Sequence, residues 1–124
     1  MEKTILVVDD AIFMRKFIRR ILEGAGYSRI FEAENGEKAL ELFDAQKPDL
    51  VLLDITMPGM SGIQVLEELK KRKTDAVVIM CSAIGQESMI CQAVEKGAAD
   101  FITKPFKQDE FIRIVKFNIQ DQTL

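Results

Sequence analysis

Two rhythms of apolar residues alternate along this chain: short unbroken runs, and longer stretches in which apolar positions recur every three or four residues. An unbroken run has no polar face, so it suits a strand covered on both sides in a parallel sheet; the second rhythm is that of a helix with one buried stripe. The first run, Thr4-Ile5-Leu6-Val7-Val8, is rich in β-branched residues and stops at Asp9-Asp10. A helix follows, with Phe13, Phe17, Ile18, Ile21 and Leu22 set against Arg15, Lys16, Arg19 and Arg20, and Gly24 and Gly26 end it.

The same unit then recurs. Residues 29–33 make a short strand, Asn35-Gly36 a turn or helix entry, and 37–45 a helix that ends before Lys47-Pro48. Leu50-Val51-Leu52-Leu53 runs into Asp54 and reads as the most buried strand. Residues 57–62 carry loop chemistry, and either Ser61 or Gly62 opens a helix bearing Ile63, Val65, Leu66 and Leu69. A strand over 76–81 ends at Ser82, a helix over 86–96 is stopped by Gly97, and a strand over 99–103 runs into Lys104-Pro105. A last helix spans 108–120, with Phe111, Ile114, Val115 and Asn118 at helical spacing and Ile112, Phe117 and Ile119 widening its apolar surface.

Five strands alternating with five helices predict an α/β domain, a doubly wound parallel sheet with helices on both faces. Right-handed crossovers bring all strand C-termini to one edge, where such sheets bind their ligands. Four strands end there on chemistry-bearing side chains: Asp9-Asp10, Asp54, Ser82 and Lys104. Each ending alone is an ordinary cap or turn; together they make a pocket.

Composition narrows the picture. At 124 residues the chain fits one domain over 1–124. A net charge of -3, with Lys and Arg scattered among acids, gives no basic stripe for direct nucleic-acid contact. No apolar stretch approaches the roughly 20 residues needed to cross a bilayer, and no signal-peptide core precedes residue 4, so no membrane insertion and a cytoplasmic location are expected. Cys81 and Cys91 form no metal-ligand pair and there is no His, so both read as core or near-surface thiols.

Three carboxylates ionised in one cleft repel one another and call for a cation. With oxygen donors and no His or paired Cys, Mg²⁺ is the natural candidate. A carboxylate beside such an ion can attack phosphorus, while a Lys neutralises charge on the transferring oxygens. Asp54, alone at the end of the deepest strand, is the candidate nucleophile; Asp9-Asp10 are left to the metal, Lys104 to charge neutralisation and Ser82 to a hydroxyl hydrogen bond.

In order and spacing, Asp9-Asp10, Asp54 with Met57-Pro58 and Gly62, Ser82-Ala83 and Lys104-Pro105-Phe106 resemble a response regulator receiver domain, of the single-domain chemotaxis type, over roughly residues 4 to 118. The resemblance implies a flavodoxin-like sheet of order 2-1-3-4-5. It implies transfer of a phosphoryl group from the phosphohistidine of a histidine kinase or phosphotransfer protein to Asp54, with autodephosphorylation in the same pocket and no dedicated substrate turnover. Mg²⁺ is then held by Asp10, Asp54 and the backbone carbonyl of Thr56, with Asp9 orienting its waters. Lys104 contacts the phosphoryl group, and the Lys104-Pro105 peptide is expected cis. Ser82 and Phe101 are the expected switch residues, acting on the face made by the fourth helix, fifth strand and fifth helix, which a downstream output protein reads. Phe101 stands where Tyr is frequent in the family, so it lacks a hydroxyl for any switch hydrogen bond. Thr56 and Ile84 occupy positions that tune the lifetime of the phosphorylated state.

The last helix leaves no room for an output domain, which favours a stand-alone monomer or weak dimer; a receiver cut from a longer regulator is the variant reading. A small Mg²⁺-dependent aspartyl-phosphate phosphatase is the competing enzyme, but it needs a second acid two residues after the nucleophile, where Thr56 stands. A receiver-like binding module working without phosphate would normally lack one of the acids or the Lys, and all are here.

Overall fold

The computed structural model describes residues 2–119. The elements are β1 (Thr4–Val8), α1 (Ile12–Gly24), β2 (Arg29–Ala33), α2 (Gly36–Gln46), β3 (Leu50–Asp54), α3 (Gly62–Lys70), β4 (Val77–Ser82), α4 (Glu87–Glu95), β5 (Asp100–Thr103) and α5 (Gln108–Ile119). All strand pairings are parallel, in the order β2-β1-β3-β4-β5. The expected extension of the last helix to Gln120 lies outside the described residues.

Alternation along the strands builds two cores, because successive side chains point to opposite faces. Leu6 and Val8, Val51 and Leu53, and Val78 and Met80 pack on one face against Ala39 and Phe43 of α2, Val65, Leu66 and Leu69 of α3, and Ala93 of α4. Ile5 and Val7, Leu50 and Leu52, and Ile79 and Cys81 pack on the other against Ile18, Ile21 and Leu22 of α1 and Phe111, Val115 and Ile119 of α5. Both faces of β1 and β3 are therefore covered, which is why their sequences carry no polar alternation. Burial pushes the Cys81 thiol up to about 12, so it stays a neutral core group.

Local chemistry starts the helices where the chain must turn back. Asn35 caps α2, accepting from the Lys38 N–H at 2.8 Å, so Asn35-Gly36 is a helix entry. Ser61 caps α3 and Gly62 is its first helical residue; Ser61 and Gln64 form a reciprocal capping box.

Two stripes differ from the sequence expectation. Phe13 is 87% exposed and Phe17 half-exposed, because the stripe of α1 that meets the sheet is Ile18, Ile21 and Leu22. On α5, Ile119 is buried and Ile112 half-buried, but Phe117 faces outward. Among the described residues, no helix is long and apolar enough to cross a membrane.

Candidate functional site

Register brings the strand ends together. Val8 pairs with Leu53 across β1 and β3, so Asp9 and Asp54 follow side by side; Asp54 pairs with Cys81, and Ser82 with Thr103. Asp9-Asp10 follow β1, Asp54 and Ser82 end β3 and β4, and Lys104 follows β5, so all of them stand at one rim.

Backbone contacts fix these residues before any side-chain chemistry begins. The Asp9 N–H donates to the Ala33 carbonyl at 3.1 Å, and Asp9 Oδ1 accepts from the Ala11 N–H at 2.9 Å. Arg15 of α1 donates to the Asp9 carbonyl at 2.8 Å. Its Nε also meets Glu32, which takes Lys16 at 3.0 Å and Arg19 at 2.6 Å as well, so α1 is pinned to β2 just behind Asp9. Burial raises the Glu32 carboxyl, but hydrogen bonds and charge from Arg19 and Lys16 outweigh it and hold Glu32 below the usual carboxylate range. On the opposite side the Lys104 N–H donates to the Ser82 carbonyl at 2.7 Å, and the Lys104-Pro105 peptide is cis. Phe106 then meets Phe111 edge-on, ring centroids 5.0 Å apart, a contact worth about 0.5–1.5 kcal/mol that fastens the Lys104 loop to α5.

The charges converge in the middle. Lys104 Nζ lies 3.2 Å from Asp9 Oδ2 and 3.2 Å from Asp54 Oδ1, bridging two carboxylates that are 2% and 7% exposed. Asp10 is exposed, yet one oxygen from each of Asp9, Asp10 and Asp54 falls within 4.8 Å of the others. Burial pushes the Asp54 carboxyl up to about 6; Lys104 pulls it down, and Asp9 and Asp10 push it up again. Burial pulls the Lys104 ammonium down, but Asp54 and Asp9 more than compensate and hold it above its usual value. A dense group of oxygen donors with one cation for three acids fits a hard metal ion, so these residues can hold one.

The hydroxyls behave differently. Ser82 is fully buried and its Oγ has no hydrogen-bond partner among the described residues, an uncommon state for a buried donor. Thr56 Oγ1 accepts from Gln86 Nε2 at 2.6 Å. Phe101 is 41% exposed on β5 and lines a cavity of about 370 Å³ with Ala83, Ile84, Glu87, Ile90, Cys91 and Thr103. The structure thus unites Asp9, Asp10, Asp54 and Lys104, sets Ser82 beside them without a partner, and leaves Phe101 outside the cluster, facing outward.

Residues 5–116 match the family model described as the response regulator receiver domain. The chain belongs to this family. Over 115 residues this receiver is 49% identical to the chemotaxis protein CheY of Bacillus subtilis (strain 168), covering 93% of this chain and 96% of that protein. Identity to the chemotaxis protein CheY of Thermotoga maritima is 46% over 112 residues, 90% of this chain and 93% of that one. The crystal structure of the receiver domain of NtrX from Brucella abortus superposes with a TM-score of 0.89 at 34% identity, covering 95% of this chain and 99% of that one. Against a longer NtrX chain the TM-score is 0.91, and this receiver, covered over 97% of its length, spans only 27% of that protein. Family membership implies a kinase or phosphotransfer partner and a signalling role for the acidic cluster.

Sequence reasoning missed two participants. Gln86 read only as the first residue of a helix, and its partner Thr56 lies 30 positions away. Glu32 is one acid in a short strand, and nothing local marks it as the anchor of three cations.

Proposed function

We propose that this receiver takes a phosphoryl group from a partner's phosphohistidine onto Asp54 and signals through altered contacts of the α4-β5-α5 face. The observation that carries this is Lys104 bridging Asp9 and Asp54 at 3.2 Å beside Asp10, with Asp54 at the end of a strand buried along its whole length. In the transfer, an Asp54 oxygen attacks phosphorus, the P–N bond breaks, and the leaving imidazole takes a proton. Lys104 is placed to neutralise the transferring oxygens, and its bond to Asp9 keeps it there. Asp10, Asp54 and the Thr56 backbone carbonyl would hold Mg²⁺, with Asp9 orienting bound water. When bound, the ion supplies positive charge against the phosphoryl oxygens.

The unpartnered Ser82 hydroxyl supports a switch role, since an anion on Asp54 offers the acceptor it lacks. Phe101, beside an open cavity, supports a movable ring. Near full-length matches to chemotaxis proteins support a receiver that acts on a separate output protein in the cytoplasm, without contacting nucleic acid. The test is intact mass after incubation with acetyl phosphate. A gain of one phosphoryl group that requires Mg²⁺ and disappears in Asp54→Ala is expected; equal uptake by the variant overturns the assignment.

A further inference from the structure

The Gln86 carboxamide joins the segments that follow β3 and β4. Its Oε1 accepts from the Ala83 N–H at 2.6 Å and its Nε2 donates to Thr56 Oγ1 at 2.6 Å. The amide orientation follows from its partners, because the Ala83 N–H can only donate and so faces the oxygen. Ala83 is the first residue beyond β4, directly after the unpartnered Ser82 hydroxyl, and β4 and β3 run side by side to this rim, with Ile55 N–H bonded to the Cys81 carbonyl at 3.1 Å.

Two donors therefore follow Cys81, the register partner of Asp54, in opposite conditions: among the described residues the Ser82 hydroxyl has no acceptor, while the adjacent backbone N–H is occupied by Gln86. We infer that Gln86 is a positioning residue, a clamp that holds the Ala83 N–H and the Thr56 side chain away from the acceptor site until an anion on Asp54 competes for them. The inference rests on Asp54 being the phosphoryl acceptor. Uptake of the anion exchanges one hydrogen bond for another: the Ala83 N–H leaves Gln86 Oε1 for a phosphoryl oxygen, and the freed carboxamide turns to water. The clamp thus sets how tightly the site takes up a phosphoryl group, without touching that group itself. An intramolecular hydrogen bond of ordinary net strength corresponds to an effect of about two- to tenfold.

Two readouts on Gln86→Ala and Gln86→Glu test it. In metal-free, unphosphorylated protein, the Ala83 amide should exchange with solvent several-fold faster in Gln86→Ala, whereas Gln86→Glu, which keeps the acceptor oxygen, should restore protection. With Mg²⁺ and beryllofluoride as the phosphoryl stand-in, Gln86→Ala should bind about two- to tenfold more tightly than wild type. Unchanged Ala83 exchange in Gln86→Ala, or equal or weaker beryllofluoride binding by a variant that melts as wild type does, overturns the clamp alone. Failure of wild type itself to bind beryllofluoride overturns the acceptor reading and the clamp with it.

Discussion

The Asp54 carboxyl sets a cost in folding stability against the chemistry proposed for it. Its value of about 6 in the folded chain stands above the ordinary 3.8, because burial and the neighbouring acids outweigh Lys104. The folded state thus binds a proton that the unfolded state has already released between those two values. By linkage, keeping Asp54 ionised costs stability above about pH 6, and the cost is relieved as pH falls from about 7 toward 4. Metal-free Asp54→Asn should therefore be more stable than wild type at pH 7.5, by ~1–2 kcal/mol once solvent screening at the rim is allowed for. The gap should close toward pH 4, as read from denaturant midpoints across that range. At this scale the sequence marked the residues that the structure gathers at one rim: Asp9, Asp10, Asp54, Ser82 and Lys104 were readable because they stand where strand-type runs end. Gln86 and Glu32 were not, because their meaning lies in partners far along the chain.

Among the elements, the junction of β3 and α3 is the most demanding. The Gly62 N–H donates to the Ile55 carbonyl at 2.7 Å, and a Cβ at Gly62 would fall onto the Asp54 carbonyl oxygen. Backbone cannot yield as a flexible side chain does, so Gly62→Ala must push α3 off the strand that carries Asp54. We expect a melting loss larger than that of Ser61→Ala, which removes only the capping box at about 1 kcal/mol. It should also bring a fall in phosphoryl uptake that Ser61→Ala does not show. Element type was legible because β1, β3 and β4 are near-continuous apolar runs and the shorter β2 and β5 sit between turn residues, and boundaries moved by only about one residue, as fraying ends allow. The buried face of α1 was harder to read. Phe13 and Phe17 have the spacing of a core stripe, yet Ile18, Ile21 and Leu22 make the better-matched one, so two phenyl rings remain facing water.

For the whole molecule, strand order decides everything. Placing β1 between β2 and β3 puts Asp9-Asp10 beside Asp54 and gathers a charged cluster from residues up to 95 positions apart. Hydrophobic pattern alone does not specify that order; the spacing of the motifs did so through family resemblance. A metal ion bound at this junction should stabilise the entire fold, since the site exists only when the strands are assembled. At about a hundredfold excess over its dissociation constant the gain is ~2.7 kcal/mol. Mg²⁺ should raise the melting temperature of wild type and much less that of Asp10→Asn, and an equal shift in both would remove Asp10 from the site.

The proposed function turns on one oxygen atom of one residue, Asp54. Treating the acetyl phosphate-loaded protein with borohydride reduces an acyl phosphate to the alcohol, converting the modified aspartate to homoserine, which peptide mass spectrometry can place in the chain. Homoserine at position 54, formed only with Mg²⁺ and phosphodonor, is the predicted result. Homoserine at position 9 or 10 with residue 54 unmodified would overturn Asp54 as the acceptor.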